Sequence, residues 1–69
     1  MDRERLKYEI LKVIDEEHRL YTISEVQEKL IPEYPDLSNN EVFVVLNKMV
    51  EDGLIDKAKE SGRICFYLK

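Results

Sequence analysis

Residues 38–55, SNNEVFVVLNKMVEDGLI, decide the reading of this chain. Ser38 and Glu41 stand three apart at the head of an apolar run. At that spacing the hydroxyl accepts from the Glu41 backbone N–H while the carboxylate reaches back to the Ser38 N–H, a capping box. Val42, Val45, Leu46 and Met49 then recur at i, i+3, i+4 and i+7, the stripe by which a helix meets a core. Gly53 follows, the residue type that most readily takes the left-handed backbone on which helices end. The stretch predicts a helix over 39–52 and a strand opening at Leu54–Ile55.

Toward the N-terminus the same rules predict two shorter helices. Residues 3–17 place Leu6, Ile10, Val13 and Ile14 on one face, with Tyr8 and Leu11 to its side. Arg3, Arg5 and Lys7 make the first turns basic and are read as a solvated face. Thr22 and Glu25 repeat the capping-box spacing and open a helix over 23–31, ISEVQEKLI, with Ile23, Val26 and Leu30 apolar. Pro32 and Pro35 stop it, and EYPDL turns the chain back to Ser38. Toward the C-terminus, Ile55-Asp-Lys-Ala-Lys, a turn at Glu60-Ser61-Gly62 and Arg63–Leu68 read as a β-hairpin. Ile64, Phe66 and Leu68 share one side of its second strand, Cys65 and Tyr67 the other. The expected architecture is α+β, a small winged helix: three helices containing a helix-turn-helix, then a two-stranded hairpin as the wing.

Sixty-nine residues leave room for one domain, 1–69. The hydrophobic fraction of 43% against 38% charged is that of a folded globular chain, not a disordered one. No apolar run reaches the length of a membrane span and the first residues carry no signal-peptide core, so the expected location is the cytoplasm. One cysteine, Cys65, excludes an internal disulfide and suits a reducing compartment. His18 is the sole histidine and makes no metal site with that one distant thiol. Neither glycine belongs to a phosphate loop, and no nucleophile–base pair is spaced for catalysis. The expectation is a protein that is not an enzyme and takes no cofactor, metal or small-molecule substrate.

From about Leu20 to Ile55 the text TISEVQEKL, EYPDLS and EVFVVLNKMVEDGLI resembles the DNA-binding half of the ferric uptake regulator family. The resemblance implies a winged helix whose third helix enters DNA. It implies no metal site, because the family's His- and Cys-rich dimerisation domain has no counterpart here. Where that family carries S-x-x-T-V-Y-R at the start of the recognition helix, this chain has Glu41, Phe43 and Val44 at the T, Y and R positions.

With Val42, Leu46 and Met49 turned inward, Asn40, Val44, Asn47 and Glu51 fall outward, flanked by Glu41, Phe43 and Lys48. Asparagines suit adenine edges and an apolar group suits a thymine methyl. The DNA-reading candidates are therefore Asn39, Asn40, Phe43, Val44, Asn47 and Lys48 on the helix over 39–52, docked in the major groove. Lys57, Lys59 and Arg63 are the candidates on the 56–64 wing. Charge is uneven along the chain: residues 2–53 sum to −6 and residues 54–69 to +2. A small transcriptional regulator binding double-stranded DNA, as a homodimer, is the expected function. The competing reading is a protein-interaction or dimerisation module that uses Phe43 and Val44, with Tyr8 and Leu11 as a second apolar patch, and binds no DNA.

Overall fold

The computed structural model describes residues 2–69. Helix α1 spans Arg3–Glu16, strand β1 Tyr21–Thr22, helix α2 Ile23–Leu30, helix α3 Asn39–Glu51, strand β2 Ile55–Glu60 and strand β3 Arg63–Leu68. Each helix starts on an oxygen-bearing cap. The Asp2 carboxylate accepts from the Glu4 N–H, Thr22 Oγ1 from the Glu25 N–H, and Ser38 Oγ from the Glu41 N–H. Both predicted capping boxes are complete, with Glu25 and Glu41 accepting from the Thr22 and Ser38 backbones in return. Gly53 sits at φ 81°, and the bonds Gly53 N–H to Val50 O and Leu54 N–H to Met49 O form a Schellman motif. That motif fixes where α3 stops and where β2 begins.

Three antiparallel strands form the sheet, in the order β1-β3-β2. Where the sequence predicts a two-stranded hairpin, Tyr21 and Thr22 add a third strand by pairing with Phe66 and Cys65. The β2–β3 turn places both Ser61 and Gly62 at positive φ, the geometry whose twist matches that of the strands it joins. Leu6, Ile10, Ile14, Val26, Val42, Leu46, Met49, Tyr21, Ile55 and Phe66 are all essentially inaccessible and form one core between the helices and one side of the sheet. Among the described residues no polar or charged side chain is buried.

Two positions on β3 depart from the simple alternation. Ile64 remains 46% exposed although it shares a side with the buried Phe66, because the hairpin runs on past the helices that cover it. Cys65, on the reverse side, is only 7% exposed: β3 is the middle strand, so Thr22 and Ala58 flank it from both neighbours.

The angle of α3 is set by its approach. Tyr34 N–H bonds Leu30 O, Leu37 N–H bonds Tyr34 O, and Gln27 Nε2 donates to Leu37 O at 2.8 Å, while the Leu37 side chain is buried. Tyr34 Oη also donates to Glu9 Oε2 of α1 at 3.3 Å. At the other end of α2, Arg19 donates to Glu17 Oε2, Leu20 O and Glu25 Oε2, and its guanidinium lies 4.0 Å from the centre of the Tyr21 ring.

The Thr22 backbone N–H, and after it the Arg19 guanidinium, hold the Glu25 carboxyl below its ordinary range. A depressed carboxyl contributes stability that is present above its unfolded value and lost as pH falls through the folded one. The thermal midpoint gap between wild type and Glu25→Gln is therefore expected to be full at neutral pH and to close on acidification below the ordinary glutamate value of 4.5. Melts across that range check it, and a gap independent of pH would remove the ionic role. In denaturant titrations Leu46→Ala should cost ~2–5 kcal/mol, the usual loss for a fully buried leucine.

Candidate nucleic-acid interface

Helix α3 presents its predicted residues at two depths. Asn39, Asn40, Phe43 and Lys48 are exposed along its outer edge, whereas Val44 and Asn47 are half-buried. The cause is α1. Its first turns lie along α3, and Arg3, Glu4 and Lys7 line one groove of about 420 Å³ with Val44, Val45, Asn47, Lys48, Glu51 and Asp52. The basic start of α1, read from sequence as a solvated face, thus stands beside the residues proposed to read bases. Spacing along either helix alone carries no signal for this, because it depends on how the two helices cross.

The groove holds three cations and three carboxylates. Lys7, itself half-buried, pairs with the exposed Glu4 at 3.2 Å, and Lys48 pairs with Asp52 at 3.5 Å at exposed positions. An exposed pair is worth ~0–1 kcal/mol, so Lys48 can exchange its carboxylate for a phosphate at little cost. Arg3 takes part in no ion pair among the described residues. The Glu41 carboxylate is drawn back onto the α3 N-terminus by its cap, where the helix dipole partly offsets its charge.

Strand register divides the wing candidates. Lys57 pairs with Phe66 and Lys59 with Ile64, which puts both lysines on the side of the sheet that packs against the helices. Arg63 pairs with Glu60 and lies on the opposite side. The apolar candidates are divided too. Phe43 is 39% exposed on the open edge of α3, and Val44 sits in the α1–α3 groove. Tyr8, 63% exposed, lines a separate shallow groove with Leu11, Lys12, Asp15 and Leu68. These four side chains make no single patch. Among the described residues no three His, Cys, Asp or Glu side chains cluster as metal ligands, and no helix is long and apolar enough to cross a membrane.

Three helices with a capped helix-turn-helix, closed by a hairpin that extends past them, define a winged-helix domain. Residues 10–68 match the family model of the Mnd1 HTH domain, and the chain belongs to that family. The ferric uptake regulator of Helicobacter pylori, described with three functional metal-binding sites, superposes with a TM-score of 0.87 at 14% identity, over 93% of this chain and 44% of its own. That of Francisella tularensis, solved with iron, gives 0.77 at 23% identity, over 90% of this chain and 48% of its own. The chain therefore spans less than half the length of these two regulators. A structure of HOP2, described in terms of DNA recognition, protein interaction and homologous DNA pairing, gives 0.78 at 21% identity, over 91% of this chain and 97% of its own. At these identities the likeness is one of fold. No protein of curated function matches the chain by sequence.

The depth of Val44 yields a check on the arrangement. Val44→Ala should cost clearly less than Leu46→Ala in denaturant unfolding, because Val44 borders an open groove and Leu46 lies at the centre of the core. Equal losses would mean that α1 covers Val44 completely.

Proposed function

We propose that this domain binds double-stranded DNA, with α3 in the major groove and the wing lysines on the flanking backbone. The observation that carries the proposal is the α1–α3 groove, in which Arg3 and Lys7 of one helix converge with Asn47 and Lys48 of the other. Cations that fix register on phosphates, standing beside amides able to pair with base edges, are the two kinds of contact a DNA reader combines. Asn39, Asn40 and Phe43 extend the reading edge, and Lys57 and Lys59 add charge from the wing. Family membership and the fold shared with HOP2 support the same reading.

In the finer form of this proposal the domain is a small transcriptional regulator acting as a homodimer on a two-fold site, since one copy offers few phosphate contacts. The asparagines favour it, because adenine readout implies sequence preference. A DNA-pairing role of the kind described for HOP2 would need no such preference.

The acidic body makes salt the informative variable. With Arg3, Lys7, Lys48, Lys57 and Lys59 each neutralising one phosphate, log affinity for random duplex should fall against log salt with a slope of roughly −4 to −5 per domain. Arg3→Ala or Lys48→Ala should each flatten that slope by ~1 across all sequences, whereas Asn47→Ala should relax preference at one base pair. Anisotropy titrations with sedimentation on the same samples measure these quantities. Absence of duplex binding at low salt would overturn the reading.

A further inference from the structure

Helix α1 carries its charge against its own dipole. Residues 2–8 sum to +1 and residues 9–17 to −3, and the last turn holds Asp15 and Glu16 with no cation. Helix ends favour the reverse, carboxylates at the start and cations at the finish. Pairing within the chain does not correct this. Glu4 pairs with Lys7 and Glu9 with Lys12, but Asp15 takes part in no ion pair among the described residues.

Asp15 closes a stripe. Tyr8, Leu11, Lys12 and Asp15 stand at i, i+3, i+4 and i+7 and, with Leu68, line a shallow groove of about 340 Å³. Leu11 and Leu68 are half-buried and form its apolar floor, and Tyr8 is 63% exposed. The Tyr8 hydroxyl makes no hydrogen bond to the protein among the described residues. A free donor at one end and a free acceptor at the other lie ~10 Å apart along the helix, beyond each other's reach.

A two-fold contact requires a patch that matches itself, residue i meeting j while j meets i. This stripe does so with the α1 of a second copy laid antiparallel. With the axis between Leu11 and Lys12, each Tyr8 hydroxyl donates to the partner's Asp15. Each Leu11 then packs on the aliphatic stem of the partner's Lys12. The acidic last turn of either helix comes beside the basic first turns of the other, which offsets the reversed charge at both ends. A parallel pairing would instead set Asp15 against Asp15. The chain's net −4 opposes contact between copies in general, whereas this face holds one cation and one carboxylate. None of the residues assigned above to DNA lies on it.

We propose that two copies associate through this face of α1, antiparallel, with reciprocal Tyr8–Asp15 contacts. The inference deepens the homodimer proposed above by naming its interface. Its test uses no DNA, so its failure and that of the DNA reading are separate results.

Sedimentation equilibrium of the free protein from ~5 µM to ~1 mM measures the association. Two facing helix stripes make a small interface, so Kd should be on the order of 10–100 µM. Tyr8→Glu, set against the partner's Asp15, should weaken it about tenfold. Asp15→Lys should weaken it severalfold and yet raise the thermal midpoint of dilute protein, because a cation then ends α1. Joining Tyr8→Glu to Asp15→Lys should return Kd to within about threefold of wild type, since the two positions again match across the two-fold axis. Phe43→Glu should leave Kd unchanged. Tyr8 and Asp15 are exposed, and thermal melts report that each variant folds. The assignment is overturned if wild type stays monomeric at ~1 mM, if the folded single variants dimerise like wild type, if the double variant fails to recover, or if Phe43→Glu dissociates the dimer.

Discussion

Thr22 belongs to two structures at once. Its backbone pairs with Cys65 as the end of β1, and its hydroxyl caps α2 through the Glu25 N–H. One residue therefore ties the helical layer to the middle strand of the sheet, and the placement of α2 relative to the hairpin follows from it. Tyr21, one position earlier, delivers its ring to the core on the side of Phe66, and Arg19 closes over that ring while holding Glu25. From this junction α2 leads through the Gln27–Leu37 and Tyr34 bonds to Ser38, which fixes the start and direction of α3. The distance from the junction to the candidate site residues of α3 is thus bridged by hydrogen-bonded turns and not by free loop.

Much of this was legible in residue order because the deciding signals are local. Capping boxes at Thr22–Glu25 and Ser38–Glu41, a helix-ending glycine at 53 and a turn at 61–62 each act within a few positions, and each predicts its element to within a residue or so at the ends. Strand β1 was not legible as a sheet member, since two residues cannot show alternation and their pairing partner lies more than forty positions away. Arg3 and Lys7 went unrecognised as neighbours of Asn47 for a related reason: the crossing of α1 and α3 is set by core packing, which no single helical wheel contains. The asymmetry of the wing lay within reach, because a two-residue turn fixes strand register. Charge counted along the chain hides it, and charge counted across the strands reveals it.

Fold and surface chemistry are largely separable in this molecule. The core is wholly apolar, and no buried polar network among the described residues ties a candidate site residue to stability. Residues on the outer edge of α3 and on the wing touch water on at least one side, so exchanging them alters what is bound more than whether the chain folds. This is consistent with one winged-helix fold recurring at 14–23% identity in two ferric uptake regulators and in HOP2.

The unequal distribution of charge has a consequence for how the molecule moves. Residues 2–53 carry −6 and residues 54–69 carry +2, so the domain behaves as an electric dipole on a net-negative particle. Near a polyanion such an object is repelled as a whole while it is turned, and torque aligns its positive end before contact. Encounters that arrive body-first are pushed away; those that arrive hairpin-first persist. A chain of acidic composition can in this way spend little time adhering in wrong orientations, so its negative charge acts as a filter on approach angle.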